Sequence, residues 1–390
     1  MNVRPTVIVV AFFLTTGFLA TRSMDLRADE TAHYEQIESY IAGEYVTTTT
    51  TTGGFHAGAM IFAHLTGLTG KEGIRLFVVL ISAATVLAFG LIAQSPELGP
   101  GSLRTLQFFF FPQLFPFWFL IYTDVYALMF LLLAILALTR ERFHVSGALI
   151  TLSLIVRQTY VVWLGMLGLW TAMVSLDQPR GRLVRRCASF ALGSTIFVLF
   201  VIRNGGIAVG DTESHPDFAI QTENLLYMLF CFFFLFLPLN IAKLPRILRL
   251  HPALIAGVGL ASFGLFFGTF RVDHPYNTQW QDFFLRNALL EAITATTAAG
   301  VVVSLAIALA VLSLCVIRLR RPIHYLVYPF AVLSVVPSSL IEQRYYIPAF
   351  ALFMLFRESE SPAVELATLG LNVVLALYLF NGVARGWFFL

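Results

Sequence analysis

Five carboxylates stand within residues 28–54: Asp29, Glu30, Glu35, Glu38 and Glu44. In a chain of 390 residues that is only 12% charged, no other stretch concentrates acid in this way. A free Asp has a pKa near about 3.9, so it is ionised at neutral pH and able to take a proton from a substrate hydroxyl. Asp29 and Glu30 are adjacent, so their side chains point in different directions and need not share a role. Asp29 is expected to cap a short amphipathic helix, accepting hydrogen bonds from its first N–H groups. His33, Ile37, Tyr40 and Ile41 follow at helical spacing and are expected at the membrane surface. Glu35, Glu38 and Glu44 read as a solvated face.

Two further groups could do chemistry. Arg157, in I-V-R-Q-T-Y, and Asp124, in F-L-I-Y-T-D-V-Y, each lie at the edge of an apolar run. A charge at a helix centre in hydrocarbon costs about 2.5–3.5 kcal/mol on insertion scales, so each needs a partner or a ligand. A structural Asp124/Arg157 pair explains both without function. Glu342, Arg344 and the tyrosines Tyr345 and Tyr346 form E-Q-R-Y-Y at another boundary. Arginine suits a phosphate because its planar fork donates two parallel hydrogen bonds and keeps its charge. The plainer reading is a Glu342/Arg344 pair anchoring a helix end. Asp211, Glu213, His215 and Asp217 stand close together, but their spacing matches no metal-ligand motif and a hydrated loop is the simpler account. The threonines at 47–52 read as a strand or extended loop. Neither a nucleotide-type glycine-rich loop nor a disulfide framework is suggested; Cys187, Cys231 and Cys315 are scattered singly.

The elements that position these residues are apolar. The chain is 58% hydrophobic with a mean hydropathy of +0.80. Runs of about 17–25 apolar residues recur from end to end, the length that crosses a bilayer. Only helices and closed barrels satisfy their backbone in lipid, and the short alternating runs of a barrel are absent. The fold class expected is therefore an all-α polytopic membrane protein. Residues 1–390 form a single integral membrane domain, and residues 21–54 its first large non-cytoplasmic loop. Residues 7–19 resemble a signal peptide but lack a small-x-small cleavage site, and read as a retained first span.

Lys and Arg concentrate on the cytoplasmic side of spans. This places residues 140–142, 180–186, 243–249 and 318–321 in the cytoplasm. Spans are expected near 6–20, 55–70, 73–93, 124–139, 145–157, 159–176, 187–203, 224–241, 253–270, 290–317, 323–340, 345–357 and 363–384. Residues 103–122 are apolar enough to cross, but a full crossing inverts every later loop. Pro112 and Pro116 would break a helix there, so the segment reads as broken or re-entrant. The polar motifs then gather on the non-cytoplasmic face. No internal repeat is visible, and ionisable groups cluster at one face rather than near mid-membrane on broken helices; both weigh against a transporter or flippase.

Asp29-Glu30-x-x-His33-x-x-Gln36-x-x-x-Tyr40-x-x-Gly43 resembles the D-E-x-x-H-x-x-Q-x-x-x-Y-x-x-G opening of the endoplasmic-reticulum α-1,2-glucosyltransferases that use dolichyl-phosphate glucose. Those enzymes add the last glucose to the lipid-linked oligosaccharide for N-glycosylation. The threonines before Gly53-Gly54 are similar to that family's I-T-T-P-P-G, without its prolines. Tyr122-Thr123-Asp124-Val125 resembles its Y-T-D-V. Arg157-Gln158-Thr159 with Trp163 resembles R-Q-T-N-x-x-W, with Tyr160 in place of Asn. Gly210-Asp211-x-x-x-His215 resembles G-D-K-S-x-H. Glu342-x-Arg344-Tyr345-x-Ile347 resembles E-x-R-Y-x-I. The matches run in the same order through most of the chain. His274-Pro275-Tyr276 resembles the start of H-P-F-L-L-A-D-N-R-H-Y, but at the D-N-R-H-Y positions the chain reads Trp280-Gln281-Asp282-Phe283-Phe284.

The resemblance implies a GT-C-type glycosyltransferase fold with about 12–14 transmembrane helices. It implies transfer of glucose from a polyprenyl (dolichyl-type) phosphate to a lipid-linked or other glycan, inverting, through an α-1,2 linkage, without metal, cofactor or nucleic acid. Mannose or arabinose is the rival donor sugar. The site lies on the non-cytoplasmic face of the endoplasmic-reticulum membrane in a eukaryote, or of the plasma membrane in a prokaryote. Asp29 is the expected general base, with Glu30 in reserve. Arg344 and then Arg157 are the expected contacts of the donor phosphate. His33, Asp124, Gln158, Asp211, His215, Glu342 and Tyr345 are the expected substrate contacts.

Overall fold

The computed structural model describes residues 4–45, 47–94, 101–210 and 220–390. Asp211 and His215, with the loop around them, lie outside the described residues. The described chain is almost wholly helical, as the composition requires; its only β pairings are two isolated bridges. It groups into two compact units, one of Met1–Phe109 with Pro116–Asp217, the other of Phe110–Phe115 with Phe218–Leu390.

The first unit holds α1 (Arg4–Thr21), α2 (Asp29–Ile41), α3 (Gly54–Thr66), α4 (Lys71–Ala93), α5 (Gly101–Phe109), α6 (Thr123–Thr139), α7 (Phe143–Val156), α8 (Val161–Met173) and α9 (Arg180–Asn204). The helices α7 and α9 approach closely where Gly147 faces Ser189 and Gly193 faces Thr151: a Cβ on either glycine would lie 2.1 or 2.3 Å from the facing hydroxyl. Small residues at such crossings let backbones pack where lipid offers no hydrophobic drive. Residues 103–122 are broken, as their prolines predict. Helix α5 ends at Phe109, and after a turn Phe115–Trp118 forms a single 3-10 turn. The Trp118 indole donates to the Phe109 carbonyl at 2.8 Å, which ties the break within the unit.

The second unit holds α10 (Glu223–Leu235), α11 (Leu237–Ile247), α12 (Pro252–Thr269), α13 (Pro275–Thr278), α14 (Leu285–Thr294), α15 (Thr297–Val316), α16 (Val327–Val335), α17 (Ile347–Phe356) and α18 (Pro362–Arg385). Its core is aromatic: Phe232, Phe236, Phe350 and Phe353 stack edge to face, and Phe111 joins them. Two expected spans are interrupted. Residues 224–241 bend by 95° between α10 and α11, where Pro238 enters the first turn of the second helix. Residues 290–317 divide because the Thr296 side chain accepts the Ala299 N–H and starts α15 afresh.

Helices α4, α9, α12, α15 and α18 are each long and apolar enough to cross a membrane, and the bent α10/α11 pair makes a sixth candidate. Four shorter apolar helices accompany them. In α9 and α12 only 11% of the most apolar window is buried within the protein. Val198, Leu199, Ile202 and Leu260 stand exposed on them; such surfaces are stable against hydrocarbon, not water. The chain is an integral membrane protein. Within the first unit Arg186 comes within 3.9 Å of Glu141, so the basic residues 140–142 and 180–186 share an end. In the second unit Lys243 pairs with Glu360, and the Glu358 N–H donates to the Arg318 carbonyl at 2.9 Å, so 243–249 and 318–321 also meet.

Candidate active site

The acidic stretch begins at a strained turn. Ala28 has φ 49° and ψ −134°, and the Glu30 N–H donates back to the Arg27 carbonyl at 3.0 Å. These angles belong to the first central position of a type II′ turn, which favours glycine. An L-residue held there costs about 1–3 kcal/mol, and such strain persists where the surroundings enforce it. The expected cap is not formed. Ala28 is the N-cap residue, no side chain caps the helix, and Asp29 is the first residue inside α2. Its exposed carboxylate sits at the positive end of the helix, which favours an anion there.

Glu30, one residue on, is wholly buried. Arg75 of α4, equally buried, places Nη2 at 3.2 Å from both Glu30 oxygens. The Ile121 N–H donates to Glu30 Oε1 at 2.9 Å. Arg75 Nη1 donates to the Thr21 and Met24 carbonyls at 2.5 and 2.6 Å, satisfying acceptors at the end of α1. Burial raises the Glu30 carboxyl above its ordinary range, while the Arg75 charge and the Ile121 N–H pull it back. The two adjacent acids thus part company: Glu30 fastens α2 to α1, α4 and the 121 turn, and Asp29 faces outward.

The rest of α2 packs inward. His33, Gln36, Ile37 and Tyr40 are buried, which corrects the expectation that this face lies on the membrane surface; α3 covers it instead. His33 Nδ1 lies 3.1 Å from His56 Nε2, and the His33 ring packs against Phe55 and Tyr122. The threonine run is an irregular loop held by two glutamines. Gln36 Oε1 accepts from the Thr48 N–H and hydroxyl at 2.6 and 3.0 Å. Gln158 donates to the Thr50 carbonyl at 2.6 Å and accepts the Thr52 N–H at 3.3 Å. Gly210 closes over this loop with φ +66°; a Cβ there would lie 2.5 Å from the Thr49 carbonyl. Only glycine meets both constraints.

Asp124, in the first turn of α6, and Arg157, just past the end of α7, are joined as a buried ion pair. Thr123 Oγ1 accepts from the same arginine at 3.4 Å. The pair is balanced in charge and ties two helices at the edge of the threonine loop.

The second unit builds a different centre around Glu342, which is fully buried. Arg286 of α14 forms an ion pair with Glu342 Oε2, and Arg344 Nη2 approaches the same oxygen at 3.2 Å. Two buried asparagines hold the segment that carries Glu342, and a third holds Arg286. Asn277 accepts the Ile341 N–H and donates to its carbonyl, both at 2.9 Å, as a neighbouring strand would. Asn224 accepts the Glu342 N–H at 3.2 Å and the Tyr346 hydroxyl at 2.8 Å. Asn287 accepts the Arg286 Nε–H at 3.0 Å and donates to the Tyr276 and Gln279 carbonyls. Tyr345 is half-buried beside Arg344. One carboxylate here faces two guanidiniums, the group whose planar fork suits a phosphate.

The sequence reading missed Arg75, Arg286, His56 and the three asparagines. Arg286 lies two residues beyond the stretch compared with D-N-R-H-Y, and an arginine near an apolar helix start was its available signal. Among the described residues no group of three His, Cys, Asp or Glu side chains is placed to hold a metal ion.

No curated protein matches the chain. Two crystal structures of ArnT from Cupriavidus metallidurans resemble it at 16% identity. The one bound to undecaprenyl phosphate gives a TM-score of 0.46, covering 99% of this chain and 77% of that one. The apo form gives 0.45, covering 97% and 77%. The DIE2/ALG10 family model matches residues 24–182 and 168–355, a range that contains both acid–guanidinium centres. The chain therefore belongs to the DIE2/ALG10 family, whose members are polyprenyl-phosphate-sugar-dependent glycosyltransferases.

Proposed function

We propose that the protein transfers glucose from a polyprenyl-phosphate carrier to a hydroxyl of a lipid-linked glycan, with inversion and formation of an α-1,2 linkage, on the non-cytoplasmic face of its membrane. Asp29 is the general base. It takes the proton from the acceptor hydroxyl as that oxygen attacks the anomeric carbon. The bond from that carbon to the phosphate oxygen breaks, and polyprenyl phosphate leaves. A phosphate is a competent leaving group, so it needs charge stabilisation rather than an acid. Arg344, backed by Arg286 across Glu342, supplies it. Arg157 is the lesser candidate because Asp124 already balances its charge. Glu30 positions Asp29, Gln158 shapes the threonine loop, and His33 and Tyr345 contact the sugars. Asp211 and His215 keep the roles their motif suggests.

The observation that carries this reading is the divergence of the two adjacent acids. Glu30 is buried against Arg75 and a backbone N–H, whereas Asp29 beside it is exposed, where an acceptor hydroxyl can reach it. The test is transfer by the purified protein, with carriers bearing glucose, mannose or arabinose in parallel. Transfer of glucose in preference to the other two is expected. Asp29→Asn should retain donor binding and lose about 10²–10⁴-fold in rate, the usual contribution of a positioned base. Full activity in that variant removes Asp29 from the reaction, and preference for another sugar replaces the donor.

A further inference from the structure

The second unit contains a cavity of about 620 Å³ that has no part in the proposed reaction. It opens where α15 ends and α18 begins, beside the two basic loops that meet there. Arg246, Arg318, Tyr325, Glu358, Glu360 and Cys315 line it. Its construction is specific. Leu319 and Arg357 form an antiparallel bridge, the Glu358 N–H donates to the Arg318 carbonyl at 2.9 Å and the Arg320 N–H to the Phe356 carbonyl at 3.0 Å. That register sets Arg318 directly across from Glu358, so their side chains leave the same face as cross-strand neighbours. Opposite charges at such positions ordinarily join. Here both side chains are exposed and no ion pair links them.

The neighbouring carboxylates other than Glu358 are already held. Lys243 holds Glu360, with Arg246 at 3.9 Å from the same oxygen. Arg357 grips Glu365 through two hydrogen bonds of 2.7 and 2.6 Å, and the Glu360 N–H donates to Glu365 at 2.8 Å. The cavity therefore presents a fixed frame with separated charges of both signs: the guanidiniums of Arg318 and Arg246, and the carboxylate of Glu358. A purely anionic ligand would satisfy the first and be repelled by the second. Both α15 and α18 are long and apolar enough to cross the bilayer, so their ends lie at the depth of lipid headgroups, and basic pockets there bind such groups.

We propose that this cavity seats the headgroup of a zwitterionic phospholipid bearing a primary ammonium, its phosphate on Arg318 and Arg246 and its ammonium on Glu358. The site is separate from glycosyl transfer and does not depend on it. Cys315 supplies a native reporter, being exposed on the cavity wall, while Cys231 is buried and the half-buried Cys187 can be replaced by serine.

The test is the rate at which a neutral maleimide labels Cys315 in the Cys187→Ser protein, reconstituted in nanodiscs of phosphatidylcholine with phosphatidylethanolamine or phosphatidylglycerol added. Phosphatidylethanolamine should slow labelling about tenfold, as expected when a ligand stands at about ten times its dissociation constant. The double change Arg318→Gln and Arg246→Gln should abolish the slowing in the same lipid, which removes any bulk effect of the bilayer. Glu358→Gln should erase the preference for the primary ammonium over phosphatidylcholine. Equal rates in all lipids overturn the site. Equal or stronger protection by phosphatidylglycerol overturns its zwitterionic character. Protection by soluble phosphoethanolamine in pure phosphatidylcholine discs, without protection by the lipid, overturns the lipid as occupant. Should the double variant fail to fold, Arg318→Lys provides the same contrast: it keeps the charge, loses the fork, and should give intermediate protection.

Discussion

Each unit carries a buried carboxylate gripped by arginine, yet the two centres are built for different ends. In the first unit Glu30 meets one guanidinium, and that of Arg75 is engaged further by the Thr21 and Met24 carbonyls. Charge closes on itself, although the buried Arg75 Nε–H is left without a hydrogen-bond partner. In the second unit Glu342 meets two guanidiniums, those of Arg286 and Arg344. The residue types are the same; the count and the company differ. A balanced pair that is wholly buried has no surface to offer a ligand and serves the fold. A trio of one acid and two guanidiniums, on a backbone segment fixed by asparagines, is the centre to which the proposed reaction assigns the donor phosphate.

The contrast breaks most sharply at Glu30. Glu30→Ala leaves the Arg75 guanidinium buried without its counter-charge, and removing one partner of a buried pair costs about 3–5 kcal/mol. A large fall in the thermal midpoint of the detergent-purified protein is expected, with little folded material recovered. Glu30→Gln keeps shape and one acceptor and should fall less. If Glu30→Ala retains wild-type stability but loses transfer, Glu30 belongs to the chemistry and the division between the two adjacent acids is mistaken.

How much of this was legible beforehand depends on sequence distance. Asp29 and Glu30 were singled out by their density of acid, and Glu342 with Arg344 by standing two residues apart at a span boundary. What each acid does was hidden, because the deciding partners are remote: Arg75 is 45 residues from Glu30, and Arg286 is 56 from Glu342. A lone arginine in an apolar run advertises that it needs a partner but not which one. Asp124 and Arg157 were paired correctly because each had the same need with opposite sign. The helical class and the positions of most helices were legible, while the number of spans and most interruptions were not: thirteen spans were expected, and among the described residues five helices, or six with the bent pair, are long and apolar enough to cross. Pro112 and Pro116 announced a break, but Thr296 ends one expected span only because its hydroxyl caps the next helix, a choice that a hydropathy reading does not register.

The second unit's trio gives the next effect in size. Arg344→Ala should remove one charge-assisted contact to the donor phosphate, worth about 1.5–3 kcal/mol, or roughly ten- to a hundredfold in donor affinity. Stability should change little, since Arg286 still balances Glu342. Arg286→Ala should cost both, because its Nε–H also supports Asn287. Donor titration monitored alongside thermal unfolding separates the two. Unchanged donor affinity in Arg344→Ala makes the trio a structural device like the Glu30/Arg75 pair, and the contrast between the units disappears.

The smallest effect sharpens the contrast from the other side, at the turn that separates Asp29 from α1. Ala28 holds a conformation that glycine adopts without strain, so Ala28→Gly relieves part of about 1–3 kcal/mol. The added flexibility of the unfolded chain offsets up to about 1 kcal/mol of that. The net expectation is a thermal midpoint equal to or slightly above that of the unaltered protein. Transfer should fall severalfold all the same, because a glycine no longer enforces the direction in which Asp29 leaves the turn. A strained residue kept beside a wholly buried pair makes physical sense if the strain aims its neighbour. If Ala28→Gly is both more stable and fully active, the strain aims nothing, and the Glu30/Arg75 pair anchors α2 for reasons of packing alone.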